Sequence, residues 1–167
     1  MPDEATMAVP RVDRTAGELM GLNTRTPFVL HLSLLGCTIR AETNSPTILD
    51  HIARLGKDPD EGRARPHEFL WRLVSDPDAV SHPPWPLPLA LADGALRLVT
   101  FGQCNFIAVD FNNRVAVAFL ADELARDESG FRDVFFTALC RLTAEAWGLD
   151  PGAAPSDLRG VPDGDRG

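Results

Sequence analysis

The chain has 167 residues, 44% of them hydrophobic and 24% charged, a length that suits one domain with its own core rather than two. Its formal net charge of −8 opposes binding to nucleic acid, because phosphates would be repelled. No apolar run reaches the roughly 18 residues that a membrane span requires, and the polar start MPDEATMAVPRVDR lacks the basic and apolar regions of a secretory signal. We therefore expect a cytoplasmic protein without nucleic-acid or membrane partners.

Residues 1–26 show no sustained hydrophobic period, and we predict a flexible N-terminal arm there. Order is predicted to begin at PFVLHLSLLGCTIRAET, where apolar residues alternate on both sides of Gly36. Alternation with a period of two is typical of strands. The segment therefore predicts two antiparallel strands joined by a tight turn near Leu35 and Gly36.

The next segment, NSPTILDHIARLG, has the features of a short helix over residues 46–55. Ser45 is a good N-cap, Pro46 suits the first helical position, and Gly56 fits the C-terminal stop. One apolar stripe runs along this predicted helix, formed by Ile48, Leu49, Ile52 and Leu55.

Beyond a charged loop at 56–67, HEFLWRLVSD alternates and predicts a strand. The Pro-rich segment DPDAVSHPPWP cannot lie in a central strand and is expected to run over the surface. Two hairpins follow. Asp93 and Gly94 form a strong turn signal between the first pair of strands, and Asn112 and Asn113 favour a type I′ turn between NFIAVDF and RVAVAFL.

Helical spacing of apolar residues predicts the last element. We expect a short helix at 121–128, a break at Ser129 and Gly130, and a long helix at 131–147 that ends at Gly148. Residues 150–167 are rich in Pro, Gly and Asp, which predicts a disordered tail. The order of elements favours a single α+β domain over 27–149. We predict a mainly antiparallel sheet built from hairpins, with one short helix after the first hairpin and the long C-terminal helix packed on one face.

Motifs that would indicate catalysis are missing from the sequence. It has no GxxxxGK[ST], GxGxxG, GxSxG or CxxC pattern, so no phosphate loop, nucleophile elbow or zinc site is indicated. The acids Asp122 and Glu123 suit a solvated helix start. We assign no catalytic, cofactor-binding or metal-binding residue. The cysteines and histidines are widely spaced and are expected to be buried thiols and surface side chains: Cys37, Cys104, Cys140, His31, His51, His67 and His82.

The Pro-rich segment offers a candidate contact with a partner. An aromatic side chain beside prolines, as in PPWPLP, can form a contact surface, and we single out Trp85, His82 and Arg72 as candidate partner-contact residues. In the alternative interpretation, the segment is a strap whose Trp85 packs on the core of its own domain.

The run FIAVDFNNRVAVAFLADELARDESGFRDVFFTALCRL resembles the region just before the P-loop domain in bacterial HPr kinase-like proteins. TIRAETNSPTILDHI is similar to their early strand–helix unit, and the resemblance covers about residues 28–147. None of the family's nucleotide-binding or catalytic residues has a counterpart. The resemblance implies a stand-alone accessory region with a kinase-like or peptide-maturation partner. The matching positions are Phe106, Val109, Asp110, Arg114, Ala116, Val117, Asp127, Glu128, Phe131 and Arg132.

Three functions stay open on the sequence. The first is a non-enzymatic binding or regulatory module that acts through a protein partner. The second is a small cytoplasmic enzyme with a cleft near segment 77–88, whose candidate groups are His67, His82, Cys104 and Asp110. The third is a structural module that forms homo-oligomers, with homodimerisation through an exposed sheet edge or face.

Overall fold

The computed structural model describes residues 24–34, 37–56 and 65–148, and only the backbone of residues 65–67. The predicted turn near Leu35 and Gly36, the tail at 150–167 and all but the last three residues of the predicted arm lie outside these ranges. Seven strands are present in the described part: β1 Phe28–Leu34, β2 Cys37–Thr43, β3 Arg65–Asp76, β4 Leu89–Asp93, β5 Leu96–Thr100, β6 Phe106–Asp110 and β7 Val115–Ala121.

The helices are α1 Pro46–Leu55, α2 Asp122–Arg126, α3 Glu128–Gly130 and α4 Thr137–Ala146, with a π-helix Phe131–Phe136 between the last two. Residues 128–146 therefore form one continuous helical segment, which we call the C-terminal helix. No helix within the described ranges is long and apolar enough to cross a membrane.

The strands form one sheet in the order β1-β2-β3-β7-β6-β5-β4. The α+β class and the C-terminal helix are confirmed, and four of the six strand pairs are antiparallel as predicted. The sheet is nevertheless mixed and not built from hairpins alone, since β3 pairs in parallel with both β2 and β7. Helix α1 is the cause of the first parallel pair, because a helical crossover returns the chain in its original direction. The β6–β7 hairpin then docks beside β3, and the sheet is mixed.

All described helices cover one face of the sheet, which we call the helical face. On this face, the Trp71 indole Nε1 donates to the Thr143 hydroxyl at 3.0 Å, which ties β3 to α4. Phe69 of β3 meets Trp147 edge to face, with ring centroids 5.2 Å apart. Aromatic contacts of this kind add to area burial. The opposite face, which carries Arg72, is free of described helices.

Helix α1 forms as the sequence predicts. The Ser45 hydroxyl accepts from the Ile48 backbone N–H at 3.3 Å, Pro46 occupies the first turn, and the N–H of Gly56 closes the helix on the Ile52 carbonyl. The buried side chains of Ile48 and Ile52 form its core-facing stripe. This confirms the predicted cap, stripe and stop of α1.

The break before the C-terminal helix lies at Asp127, not at Ser129 and Gly130 as predicted. Asp127 is extended, with φ −76° and ψ 103°, whereas Gly130 is helical, with φ −62° and ψ −45°. Gly130 is needed for a different reason, because a Cβ at this position would overlap the indole nitrogen of Trp85.

The β6–β7 hairpin also differs from its predicted type I′ turn. Arg114 has the positive φ, 55°, and not Asn112 or Asn113. The Asp110 carboxylate accepts from the backbone N–H groups of Asn112 and Asn113 at 3.0 and 3.1 Å, so an Asx-type turn replaces the predicted one. A hydrogen bond from the Asn113 side-chain amide, together with these two backbone bonds, lowers the pKa of the Asp110 carboxyl.

Candidate functional site

The Pro-rich segment 77–88, which we call the strap, lies outside the strands and joins β3 to β4. It is attached at several points to the loop that precedes β6. The Asn105 side-chain amide donates to the Ser81 hydroxyl at 3.0 Å, and the Cys104 thiol donates to the Val80 carbonyl at 3.4 Å. Asn105 is itself buried and accepts from the Ala121 backbone N–H at 2.8 Å. One side chain thus links the strap to the end of β7.

Trp85 anchors the middle of the strap to the helical layer. Its indole Nε1 donates to Asp127 Oδ2 at 2.8 Å, and this bond is the main cause that lowers the pKa of the Asp127 carboxyl. The ring packs against the hydrophobic core and is half-buried. Trp85 therefore contacts its own domain, as in the alternative interpretation of the sequence, while part of the ring remains open to solvent.

Between and beyond these anchors, the strap points apolar side chains outward. Val80 is 68% exposed and Leu87 is 91% exposed, and His82 lies exposed between them. Leucine and valine side chains on a soluble protein are normally scattered singly when exposed. Here Val80 and Leu87 lie on one segment that is held to the domain at Ser81 and Trp85, and exposed prolines flank Leu87 on both sides.

Arg72 lies elsewhere. It occupies the helix-free face of β3, and its guanidinium donates to the Thr24 carbonyl at 2.8 Å. Nearby, the Thr26 hydroxyl donates to Glu42 at 3.4 Å. Arg72 thus ties the start of the described chain to the sheet, and it does not join Trp85 and His82 in one site.

The four groups named for an enzymatic cleft divide between the two ends of the sheet. Cys104 precedes β6 and contacts the strap, whereas Asp110 ends β6. Strand β6 lies between them, and Phe106–Asp110 alone spans about 13 Å at roughly 3.3 Å per residue. His82 is on the strap, and the backbone of His67 lies at the start of β3, near the β6–β7 hairpin. Acid–base and nucleophile–base pairs must lie within hydrogen-bond distance of each other. Cys104 and Asp110 are too far apart to form such a pair.

A pocket opens at the carboxyl ends of the parallel strands β2, β3 and β7, the position where α/β proteins often bind ligands. Its polar groups bond to one another. The Asn44 side chain pairs with both backbone groups of Ser75, at 2.8 and 2.9 Å. The Ser75 hydroxyl donates to Asp122, which in turn pairs with Arg126 at 3.4 Å. This network holds the strand ends together.

No cluster of three or more His, Cys, Asp or Glu side chains in the described ranges is placed to hold a metal ion. Cys37 and Cys140 are buried as predicted, whereas Cys104 is only half-buried because it lies in the loop before β6. Burial raises the pKa of the Cys140 thiol. His51 departs from the expected surface position and is buried between helices.

Sequence reasoning missed the residues that hold the strap. Asp127 was expected in the short helix 121–128, and Gly130 was expected in the break that follows it. Asn105 lies at the start of a predicted strand and belongs to no recognisable motif. The one signal was the uncharged amide of Asn105 in QCN, just before a strand, because an amide can satisfy several backbone groups at once. Trp85 is 42 residues from Asp127 and Ala121 is 16 residues from Asn105 in the chain, so local patterns could not reveal these contacts.

In comparisons with known proteins, the chain matches no protein-family model, no curated protein and no solved structure. The similarity to HPr kinase-like proteins stays a prediction from the sequence.

Proposed function

We propose that this protein is a non-enzymatic, cytoplasmic binding module that acts through a protein partner, and that the strap is its recognition element. The observation that carries the proposal is the contrast within the strap. Its backbone is fixed through Ser81 and Trp85, while Val80, His82 and Leu87 face solvent. A segment that is ordered before binding loses less conformational entropy when it binds.

A protein surface suits the strap better than a small molecule does. Small-molecule sites are concave and enclose most of the ligand, whereas Val80, His82 and Leu87 project from the strap into solvent. Proline rings and aliphatic side chains on an extended segment fit apolar or aromatic-lined grooves on partner domains. The resemblance adds a partner class to this proposal, namely a kinase-like or peptide-maturation protein.

Site-specific photo-crosslinking tests the proposal in cells that naturally produce the protein. A benzophenone amino acid replaces Val80 in one variant, and in the control it replaces Arg141, which is exposed on the C-terminal helix. We expect a partner adduct from position 80 and none from position 141.

Reconstitution with the purified adduct protein completes the test. Val80→Asp with His82→Ala should weaken its binding by at least about tenfold, as expected for removal of a contact worth 1.4 kcal/mol or more. Arg141→Ala should leave the affinity unchanged. Equal adducts from both positions would contradict the strap as recognition element. Turnover of ATP by the purified protein above a denatured control would contradict the non-enzymatic module.

A further inference from the structure

The two edges of the sheet differ in what they expose. At the β1 edge, Leu32 and Leu34 are buried on the helical face, where Leu32 lies against Gly56 of the α1 C-cap. At the β4 edge, all five residues of the strand are exposed, whichever face of the sheet their side chains lie on. Leu89 is 61% exposed and Leu91 is 54% exposed, and both lie on the helix-free face. Edge strands normally carry a charge, proline or bulge that prevents pairing with another chain. Within β4 the only charge is Asp93, at its end.

The hydrogen bonding of the neighbouring strands shows which β4 groups point outward. The Phe111 N–H donates to the Ala95 carbonyl at 2.9 Å. The odd-numbered residues of β5 therefore form their backbone hydrogen bonds with β6. Bonded pairs alternate along an antiparallel ladder, so residues 96, 98 and 100 bond toward β4, where their partners are 93, 91 and 89. The N–H and C=O groups of Ala90 and Ala92 consequently point away from the sheet, where no strand pairs with them in the described part of the chain.

We propose that β4 pairs with the β4 strand of a second copy of this chain, antiparallel about a two-fold axis at Leu91. In this register Ala90 faces the second copy's Ala92, and the outward groups of both residues form four hydrogen bonds across the axis. Leu91 packs beside the second copy's Leu91 on the helix-free face. The two seven-stranded sheets become one continuous sheet.

A second copy fits this edge because the strand is complementary to itself. A two-fold interface uses the same patch on both copies, and the sequence LALAD offers small residues where the backbones bond and leucines where the side chains meet. Asp93 comes opposite the second copy's Leu89, not opposite another acid. Leu96, which is 43% exposed beside Asp93, adds a further apolar side chain to the same surface.

Disulfide trapping tests the register. In an antiparallel pair, residues whose backbone groups point away from each other have Cα atoms about 4.5 Å apart, within the range of about 4.4–6.8 Å that a disulfide spans. Leu91→Cys, in a Cys104→Ser background that removes the half-exposed thiol, should form a covalent dimer under mild oxidation. Ala90→Cys is the matched control, since its side chain points to the other face and faces Ala92, not itself. Crosslinking through position 90 in preference to 91 would overturn the register.

The second test weakens the pairing without breaking the monomer. Ala92→Pro removes an N–H that points outward, a position where edge strands tolerate proline. By sedimentation equilibrium, the dimer dissociation constant should rise at least about tenfold because two hydrogen bonds are lost per dimer. The wild-type dimer should tighten as salt is added, since each copy carries a net charge of −8 and salt screens the repulsion.

Failure of this inference is separable from failure of the proposed function. Val80→Asp changes the strap and should leave the dimer intact, whereas Ala92→Pro changes β4 and should leave the partner adduct at position 80 intact. A wild-type protein that stays monomeric at the highest soluble concentration in high salt, with no disulfide from Leu91→Cys, would overturn the pairing.

Discussion

At the scale of single residues, His51 illustrates how burial sets the behaviour of a titratable group. Its ring stacks on Phe131 with centroids 4.8 Å apart, and its Nδ1 accepts from the Arg54 guanidinium at 2.9 Å. Burial, and next the positive charge of Arg54, lower the pKa of His51 below its usual 6.5. The nearby Ala125 carbonyl, Glu128 and Asp50 act in the opposite direction without reversing the shift.

His51 should therefore make the folded state less stable in mild acid. As the pH falls through 6.5, the unfolded chain takes up a proton on this side chain before the folded chain does, so the free energy of unfolding decreases until the pH passes the folded-state pKa. Urea unfolding between about pH 7.5 and 5, a range above the usual carboxylate pKa values, should show this slope. His51→Gln should flatten it. An equal slope in both proteins would contradict the account of His51.

At the scale of elements, the strap and the C-terminal helix determine each other's conformation. The indole of Trp85 lies directly over Gly130, and Asp127, in the extended break between α2 and α3, accepts the indole N–H. The glycine thus serves close approach rather than a chain reversal. The helical backbone conformation of Gly130 would also suit alanine. The contact with Trp85 is therefore what excludes a side chain at this position.

Gly130→Ala should displace Trp85 and loosen the strap. The added Cβ would also lie 2.8 Å from Asp127 Oδ2, so we expect a loss of about 1–3 kcal/mol in the free energy of unfolding, the usual cost of overpacking. Alanine otherwise favours a helix over glycine.

Arg141→Ala is the control, since Arg141 is exposed on the same C-terminal helix and far along it from Asp127. Urea unfolding measures the stability, and a carboxyl NMR titration should show the pKa of Asp127 rising toward its ordinary value as the Trp85 bond is lost. A stabilised Gly130→Ala variant with an unchanged Asp127 titration would contradict the close contact.

At the scale of the whole molecule, the parallel strands β3 and β7 form the centre of the sheet. Strand β3 lies between β2 and β7, and β7 lies between β3 and β6. Both strands carry buried side chains on both faces, among them Leu73, Val74, Val117 and Ala118. Strands buried in this way belong to the most stable cooperative unit of a domain.

Native-state hydrogen exchange should rank the strands accordingly. The slowest amides are expected in β3 and β7, because their bonds open only on global unfolding, and β4 should exchange faster. The measurement is made on Ala92→Pro, so that pairing between copies does not protect β4. Slowest exchange in β4 or β5 would contradict this ranking.

Much of the fold was predictable because it depends on local patterns. Alternation in β3 and β6 and the Ser45 cap with the apolar stripe of α1 each act within a few residues, so the sequence alone indicated these elements. The Asp93–Gly94 turn likewise needs only its own backbone. At the candidate site, the sequence singled out Trp85 and His82 on the Pro-rich segment, but Arg72 lies apart from them on the helix-free face.

The amino-acid sequence by itself determined the elements, their approximate bounds and the α+β class, because strand alternation, helix capping and turn chemistry are set by neighbouring residues. Only the tertiary structure decided that β7 pairs with β3 and makes the sheet mixed. It also decided that Gly130 accommodates Trp85 and that His51 is buried, since each depends on side chains that meet from distant parts of the chain. Pairing across such distances follows the overall packing of apolar faces, which no local pattern records.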